Sequence, residues 1–226
     1  MKYSKIVEGK FLKRPNRFIA HVEVNGQLEV VHVKNTGRCR ELLTDGAIVY
    51  LEVSDNPSRK TKFDLVAVRK KNFLINMDSQ APNKVVGEWL EKNCPWGKPK
   101  IIKSEFTHGD SRFDFYLETE NEKILLEVKG VTLEKDGVVL FPDAPTERGV
   151  KHIEGLSKAS PEGFRPVIFF VIQMEGVKYF TPNRETHPAF ATALQKAAQA
   201  GVEVLAYDCH VEKDGFELRQ SVEVIL

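Results

Sequence analysis

The first third of the chain is a series of short apolar or alternating runs separated by turn-forming residues. Asn25 and Gly26 form a dipeptide typical of a two-residue hairpin, and Asp45 with Gly46 marks a second turn. Strands this short and closely spaced predict a small all-β, OB-like barrel over residues 1–78, with residues 40–43 as the single helical turn between its third and fourth strands. The predicted strands are 6–12, 18–24, 28–33, 48–53, 65–68 and 73–75.

From residue 79 onward the pattern alternates between helical and extended periodicity. The segment 77–83 contains Asp78, Ser79, Pro82 and Asn83 and separates the two patterns. Residues 79–226 are therefore predicted to form an α/β domain with a mixed sheet flanked by helices. The predicted helices are 82–94, 146–159 and 188–200, and the predicted strands are 100–106, 113–117, 123–128, 166–172 and 202–207.

Two of these strands carry acidic residues in an arrangement suited to chemistry. Alternation places Phe113, Phe115 and Leu117 on one face of their strand and Asp114 on the other. The next strand is an apolar run that ends in Glu127, Val128 and Lys129. Glu127 and Lys129 are two residues apart and share a face. Because the connection at 118–122 is short and polar, the strands should form a hairpin that brings Asp114 beside Glu127.

This cluster predicts a metal-dependent site. Two carboxylates about 4 Å apart repel by roughly 4 kcal/mol at an effective dielectric constant near 20, and a cation removes that repulsion. Carboxylates and phosphate oxygens suit Mg²⁺, and Mn²⁺ accepts the same ligands. Lys129 would orient an attacking water or stabilise charge on a phosphate. The alternative is that Glu-X-Lys is an ordinary strand sequence, since it is common in strands.

Composition excludes several other classes of protein. The 226 residues are 42% hydrophobic and include 14 Phe, which is enough for a sizeable core. No apolar run of 18 residues or signal-like N-terminus appears, so a soluble, cytoplasmic protein without membrane contact is expected. The three cysteines, Cys39, Cys94 and Cys209, are widely spaced and support neither a zinc site nor a disulfide framework.

The overall charge of +1 hides a difference between the two predicted domains. Residues 1–78 hold 15 Lys and Arg against 9 Asp and Glu, a net charge of +6, and residues 79–226 hold 18 against 23, a net charge of −5. The basic residues of the barrel lie mostly in its connections, the second of which contains Asn35, Thr36 and Gly37. Any one of them is more simply a solvated surface residue, but the set predicts a nucleic-acid-binding surface. It comprises Lys13, Arg14, Arg17, Lys34, Arg38, Arg40, Arg59, Lys60 and Lys62.

Two predicted helices add candidate site residues. Glu88 lies at the edge of the inward stripe of its helix and is a candidate third metal ligand, with an exposed helix carboxylate as the alternative. Arg148, Lys151 and His152 have spacings of three and four residues and are candidates to bind a phosphate together. For His152 the alternative is an ordinary surface histidine. Glu105 is a weaker acidic candidate, and the role of Gln173 is ambiguous.

The order of elements, with an acid followed by acid-X-Lys on the next strand, resembles the restriction-endonuclease-like superfamily over residues 80–210. The whole chain resembles the sugar fermentation stimulation protein A family through HVKNTGRCRELL (32–43), SRFDFYL (111–117), LLEVKGVTL (125–133) and FPDAPTERGVKHIEGL (141–156). The superfamily resemblance implies metal binding by Asp114 and Glu127 and a catalytic Lys129. The family resemblance implies an OB-like barrel, a nuclease-like domain, DNA binding without strong sequence preference and a link to sugar metabolism.

Two functions of different classes follow. The first is a Mg²⁺-dependent DNA nuclease, with Asp114, Glu127 and Lys129 in the catalytic site. The second is a non-catalytic, largely sequence-independent DNA-binding protein that acts as a regulator linked to sugar (maltose) metabolism. In a third reading the barrel binds sugar or protein. A homodimer is also possible, because an exposed strand edge at 215–225 would pair two chains.

Overall fold

The N-terminal third of the protein is a closed β-barrel. The computed structural model describes residues 1–35 and 37–226, so Thr36 of the predicted basic connection lies outside the described residues. The sheet order is β3-β2-β1-β4-β5-β6, and a parallel pairing of β3 with β5 closes a five-stranded barrel. The OB-like barrel is therefore confirmed. Its strands are β1 (Ile6–Asn16), β2 (Ile19–Val24), β3 (Gln27–Val33), β4 (Ile48–Val53), β5 (Phe63–Lys70) and β6 (Phe73–Asn76).

Local sequence explains the turns of the barrel. Asn25 and Gly26 have φ values of 51° and 78°, as a two-residue hairpin turn between β2 and β3 requires. Between β3 and β4, the amides of Leu42 and Leu43 donate to the carbonyl of Cys39 at 3.2 and 2.9 Å. This is the single helical turn predicted at 40–43. It inserts Leu42, which is 1% exposed, into the core of the barrel.

The rest of the chain, from residue 79 onward and called the C-terminal half, contains two mixed sheets and three α-helices. A six-stranded sheet has the order β15-β14-β12-β9-β8-β7, and a four-stranded sheet has the order β10-β11-β13-β16. The elements are α1 (Ala81–Asn93), β7 (Ile101–His108), β8 (Ser111–Glu118), β9 (Lys123–Val131), β10 (Leu133–Lys135), β11 (Val138–Phe141), α2 (Glu147–Ala159), β12 (Phe164–Ile172), β13 (Tyr179–Pro182), α3 (Pro188–Gln199), β14 (Glu203–Glu212), β15 (Gly215–Ser221) and β16 (Glu223–Val224).

The sequence pattern predicted the central strands of the six-stranded sheet but not the four-stranded sheet. The strands of the smaller sheet are only two to four residues long. They are held mainly by partners distant in the chain, such as Val138 opposite Tyr179 in a parallel pair. Runs this short contain too few residues to show an alternating pattern.

Helices cover both faces of the six-stranded sheet. Leu126 and Val128 pack in one core with Val86 and Leu90 of α1. Leu125, on the opposite face of β9, packs in the other core, where α2 and α3 contribute Ile153, Leu156, Phe190 and Leu194. This two-faced burial explains why β9 and β12 are continuous apolar runs.

One prediction about β8 is wrong. Phe113 and Phe115 do not share a face, because Phe113 approaches Gly155 of α2 and Phe115 approaches Gly87 of α1. The register of β8 with β9 ends at the pair Phe115 and Leu126. The neighbouring strand β7 is irregular at Glu105, which has a φ of 54°. The regular alternation therefore fails next to Asp114, where the strand leaves ideal geometry.

A buried polar network joins the barrel to the C-terminal half. The Gln173 side-chain amide donates to Asn76 Oδ1 at 3.0 Å and to the carbonyl of Asp78 at 3.1 Å. The Tyr3 hydroxyl accepts from Asn76 Nδ2 at 2.8 Å and donates to Asp78 Oδ2 at 3.4 Å. Gln173, whose role the sequence left ambiguous, therefore contributes to the junction.

The predicted exposed edge at 215–225 is divided between the two sheets. β15 is an edge strand of the larger sheet, whereas β16 pairs with β13 in the smaller one. The chain's first residues cover the start of β15, since Lys2 bridges Gly215 and the amide of Phe216 donates to the carbonyl of Met1 at 3.2 Å. The free edge available to a second copy is thus shorter than the sequence indicated.

The helices of the described residues are short. The α-helices span 13, 13 and 12 residues, and none of them is long and apolar enough to cross a membrane.

Candidate active site

The predicted hairpin of β8 and β9 places Asp114 next to the segment that carries Glu127. The Asp114 Oδ2 atom accepts a hydrogen bond from the backbone amide of Val128 at 2.7 Å. Its other oxygen, Oδ1, accepts from the side-chain amide of Asn83 at 2.7 Å. Asp114 is therefore held from two sides, by β9 and by the first turn of α1.

Glu127 is the most buried acid of this cluster, with only 2% of its surface exposed. Its Oε1 atom receives two donors, the Lys129 ammonium at 2.5 Å and Nδ1 of His152. Its Oε2 atom is buried and, within the described part of the chain, has no hydrogen-bond partner. A buried carboxylate oxygen without a partner is costly, so this atom is suited to a cation.

The two carboxyl groups have different proton affinities. Burial, followed by the negative charge of Glu127, raises the pKa of the Asp114 carboxyl above its ordinary value. Burial also acts to raise the pKa of Glu127, but the His152 hydrogen bond and the Lys129 charge outweigh it, so its pKa lies below the ordinary value. The negative charge of Glu127 thus disfavours ionisation of Asp114, as expected for two neighbouring carboxylates.

Glu88, the predicted third metal ligand, does not join this cluster. Its Oε2 atom lies 2.9 Å from the Met1 ammonium, and its side chain is 44% exposed. That ammonium also donates to the carbonyl of Phe216, which places Glu88 towards the β15 edge of the sheet, away from β8. The residue of α1 that does reach Asp114 is Asn83, which the sequence reasoning missed. Asn83 lies in the first turn of a helix with an inward apolar stripe, and this position was the one feature of the sequence that could have indicated its contact with Asp114.

The three candidate phosphate-binding residues of α2 do not act as one group. His152 is 8% exposed and faces Glu127, and Arg148 Nε donates to His152 Nε2 at 3.3 Å. Lys151 is exposed and lines a separate cavity beside His108 and Gly155. Adjacent helical residues point about 100° apart, which explains the separation of Lys151 from His152.

Three of the predicted nucleic-acid-binding residues of the barrel are engaged within the protein. Arg14 donates to four backbone carbonyls of the 17–38 region. Lys34 pairs with Asp78 at 2.7 Å. Arg59 binds both oxygens of Asp64 at 2.7 and 2.6 Å. These side chains shape the connections through contacts within the protein.

The other six predicted barrel residues are exposed and available. Two of them lie over aromatic rings, Arg17 at 4.8 Å from the centre of Phe18 and Lys62 at 5.2 Å from the centre of Phe63. Phe18 is itself 45% exposed, so a cation and an apolar ring occur together on this surface. The available residues are Lys13, Arg17, Arg38, Arg40, Lys60 and Lys62.

A cleft of about 340 Å³ lies where the barrel meets the C-terminal part of the chain. Asn35 and Gly37 of the barrel, Gly130 at the end of β9 and Thr146 at the start of α2 line part of it. Thr146 caps α2 by accepting from the amide of Gly149 at 3.1 Å. The cleft therefore adjoins the helix that supplies His152.

A complete protein cage for a metal ion is not present among residues 1–35 and 37–226. No group of three or more His, Cys, Asp and Glu side chains there is arranged to hold one. Two carboxylates and solvent or phosphate oxygens would have to suffice, which is a common arrangement for Mg²⁺.

Comparisons with known proteins identify the family. The model described as "SfsA N-terminal OB domain" matches residues 12–77, and the one described as "Sugar fermentation stimulation protein RE domain" matches residues 80–215. The chain belongs to the sugar fermentation stimulation protein family. The two matched regions meet near residue 78, where the sequence pattern changes.

Relatives in this family match the chain from end to end. The sugar fermentation stimulation protein homolog of Ruminiclostridium cellulolyticum is 54% identical over 226 residues and covers 100% of both chains. The homolog of Desulfitobacterium hafniense strain Y51 is 58% identical and covers 100% of this chain and 99% of its own. The structure of Pyrococcus furiosus SfsA in complex with Ca²⁺ is similar with a TM-score of 0.90 and 29% identity, covering 100% of this chain and 98% of that one.

Proposed function

We propose that the protein is a Mg²⁺-dependent DNA phosphodiesterase that binds DNA largely without regard to sequence, in the cytoplasm. The observation that carries this proposal is the joint placement of Asp114, Glu127 and Lys129 on two paired strands, with Glu127 Oε2 buried and unpaired among the described residues. Mn²⁺ should replace Mg²⁺, because it accepts the same oxygen ligands.

The residues present fit a divalent cation. Asp114 and Glu127 would hold it, with Glu127 contributing Oε2, and the remaining ligands would be water and phosphate oxygens. The relative from Pyrococcus furiosus was solved in complex with Ca²⁺, another hard cation that prefers oxygen ligands. When bound, Mg²⁺ would neutralise charge on the phosphate and lower the pKa of a bound water.

The contacts and partial exposure of Lys129 support a role for it in acting on the phosphate. Its side chain is 16% exposed and its ammonium contacts Glu127 Oε1. A flexible ammonium can exchange this contact for one with a phosphate or with the attacking water. Its positive charge then stabilises the negative charge that develops on the phosphate. Asn83 and the Val128 amide meanwhile hold Asp114 in one orientation.

The barrel would supply affinity for the DNA backbone. Its exposed Lys and Arg side chains lie in the connections between strands, where they can contact phosphates. Contacts to phosphates do not depend on the base sequence. The exposed Phe18 beside Arg17 adds a surface on which a base can stack. Barrel and acidic cluster thus divide binding and cleavage between them.

A second function, a non-catalytic DNA-binding regulator linked to sugar (maltose) metabolism, is favoured by one observation. Three of the four carboxylate oxygens of the cluster already have protein donors, since both oxygens of Asp114 and Oε1 of Glu127 are hydrogen-bonded. A cluster satisfied to this extent would serve the fold alone. The family name also refers to sugar fermentation.

The test is cleavage of labelled single-stranded, duplex and branched DNA in Mg²⁺ or Mn²⁺. The wild type is compared with Glu127→Gln, Lys129→Met and a matched control, Glu120→Gln, whose carboxylate is exposed in the connection between β8 and β9. The nuclease proposal requires cleavage by the wild type and the control only. If all four proteins bind DNA with the same salt dependence and none cleaves it, the regulator is the better assignment.

A further inference from the structure

His152 lies in the candidate active site for a reason other than phosphate binding. It is 8% exposed, and both of its ring nitrogens are engaged, Nδ1 with Glu127 Oε1 and Nε2 with Arg148 Nε. A side chain in this position has no free nitrogen to offer a substrate.

The partners of the imidazole determine where its proton lies. Arginine Nε can only donate, so His152 Nε2 must accept from Arg148. Nδ1 then carries the proton and donates it to Glu127 Oε1. Arg148 thus fixes the tautomer, and the tautomer fixes the direction of the hydrogen bond to the acid.

Resting on the proposed function, we propose that His152 is a positioning residue that holds Glu127 so that Oε2 faces the cation. With His152 and Lys129 both on Oε1, the carboxylate cannot turn without losing two donors. Oε2 remains for the metal, which makes Glu127 a ligand through a single oxygen.

This arrangement also gives Lys129 its freedom. If the lysine were the only donor to Oε1, its movement towards a phosphate would leave a buried carboxylate oxygen without a hydrogen bond, which is costly. His152 keeps Oε1 satisfied when Lys129 leaves. The histidine therefore supports both the metal ligand and the mobility of the lysine.

The experiment measures Mn²⁺ and Mg²⁺ binding by titration calorimetry on the full chain without DNA. His152→Leu should weaken binding by about 10- to 100-fold, as loss of a group that orients a metal ligand does. His152→Asn should restore most of the affinity, because the Asn side-chain nitrogen is attached to Cγ, as Nδ1 is in histidine. His152→Gln carries its donor one atom further out and should not restore it.

Two controls separate this role from general damage to the fold. His210→Leu removes another histidine that pairs with a carboxylate, Glu175 at 2.7 Å, on an exposed surface of β14, and should leave binding unchanged. In a Glu127→Gln background, His152→Leu should cause no further loss of affinity, because the histidine acts through that acid. Equal further loss in that background would show that His152 acts elsewhere.

A measurement without metal completes the test. Nitrogen-15 NMR of the imidazole should show the neutral ring protonated on Nδ1. A proton on Nε2, or wild-type cation affinity in His152→Leu, would overturn the proposal. If the wild type bound no divalent cation, the proposed function would be wrong, and the NMR spectrum would still decide whether His152 holds Glu127.

Discussion

Arg14 is a basic residue whose removal should unfold a connection rather than only weaken DNA binding. Its guanidinium donates to four backbone carbonyls at distances between 2.6 and 2.9 Å, and two of these bonds are partly buried. The carbonyls belong to Gly37, Arg38, Arg17 and Asn35. One side chain thus ties the end of β1 to the connection after β3.

The expected magnitude follows from the burial of these bonds. A hydrogen bond from a charged group contributes about 1.5 kcal/mol or more when it is shielded, and little when water can replace it. Counting only the two partly buried bonds, to Gly37 and Asn35, Arg14→Ala should lower the free energy of unfolding by about 3 kcal/mol. Arg14→Lys should recover little of this, because an ammonium cannot reproduce the planar fork.

The assay is urea denaturation at neutral pH, with Arg17→Ala as the matched control. Arg17 is exposed and its guanidinium lies over the Phe18 ring, so its loss should cost less than about 1 kcal/mol. A stability of Arg14→Ala within that same margin of the wild type would refute the reasoning, and so would full recovery by lysine.

Three further outcomes are expected. Arg38→Ala combined with Arg40→Ala should weaken DNA binding alike for all sequences and reduce the slope of log affinity against log salt by about 2, measured by fluorescence anisotropy; an unchanged slope would remove these residues from the interface. Burial acts to raise the pKa of Asp64, but hydrogen bonds led by that from Arg59 outweigh it and lower the pKa below 3.8. The stability that this pair contributes is therefore present above the ordinary pKa and is lost as pH falls through the lower pKa of the folded state. Between about pH 5 and pH 2, the urea midpoint of Asp64→Asn should therefore fall less than the urea midpoint of the wild type. Gln173→Leu should lower stability by about 1–3 kcal/mol at neutral pH, because it removes two buried hydrogen bonds across the junction; an unchanged urea midpoint would show that these bonds contribute nothing.

Hydrophobic periodicity was sufficient for the parts of the fold whose burial is decided locally. The strands of the barrel and the three helices of the C-terminal half were predicted with bounds that differ from the structure by a few residues. The small sheet was missed because its strands depend on distant partners. Val138–Phe141, for example, becomes a strand by pairing with Tyr179–Pro182. Four residues are too few to show a pattern that predicts this pairing.

The candidate site was predictable where it depends on one hairpin and not where it depends on distant contacts. Asp114 and Glu127 are brought together by adjacent strands, so their spacing in the sequence was informative. The burial of His152 and the engagement of Lys34 depend on where other elements pack. Sequence alone treated these two as phosphate ligands, because a positive or titratable side chain looks the same whether it faces solvent or an internal acid.

The buried polar network at the junction limits how far the two halves can be treated as modules. Asn76 and Asp78 belong to the end of the barrel, yet their hydrogen-bond partner Gln173 follows the central strand β12. A barrel transplanted into another protein would carry these groups to its surface without their partner. We therefore expect a single calorimetric transition for the whole chain. The two parts, if produced separately, should expose polar groups that are buried and hydrogen-bonded to each other in the intact protein.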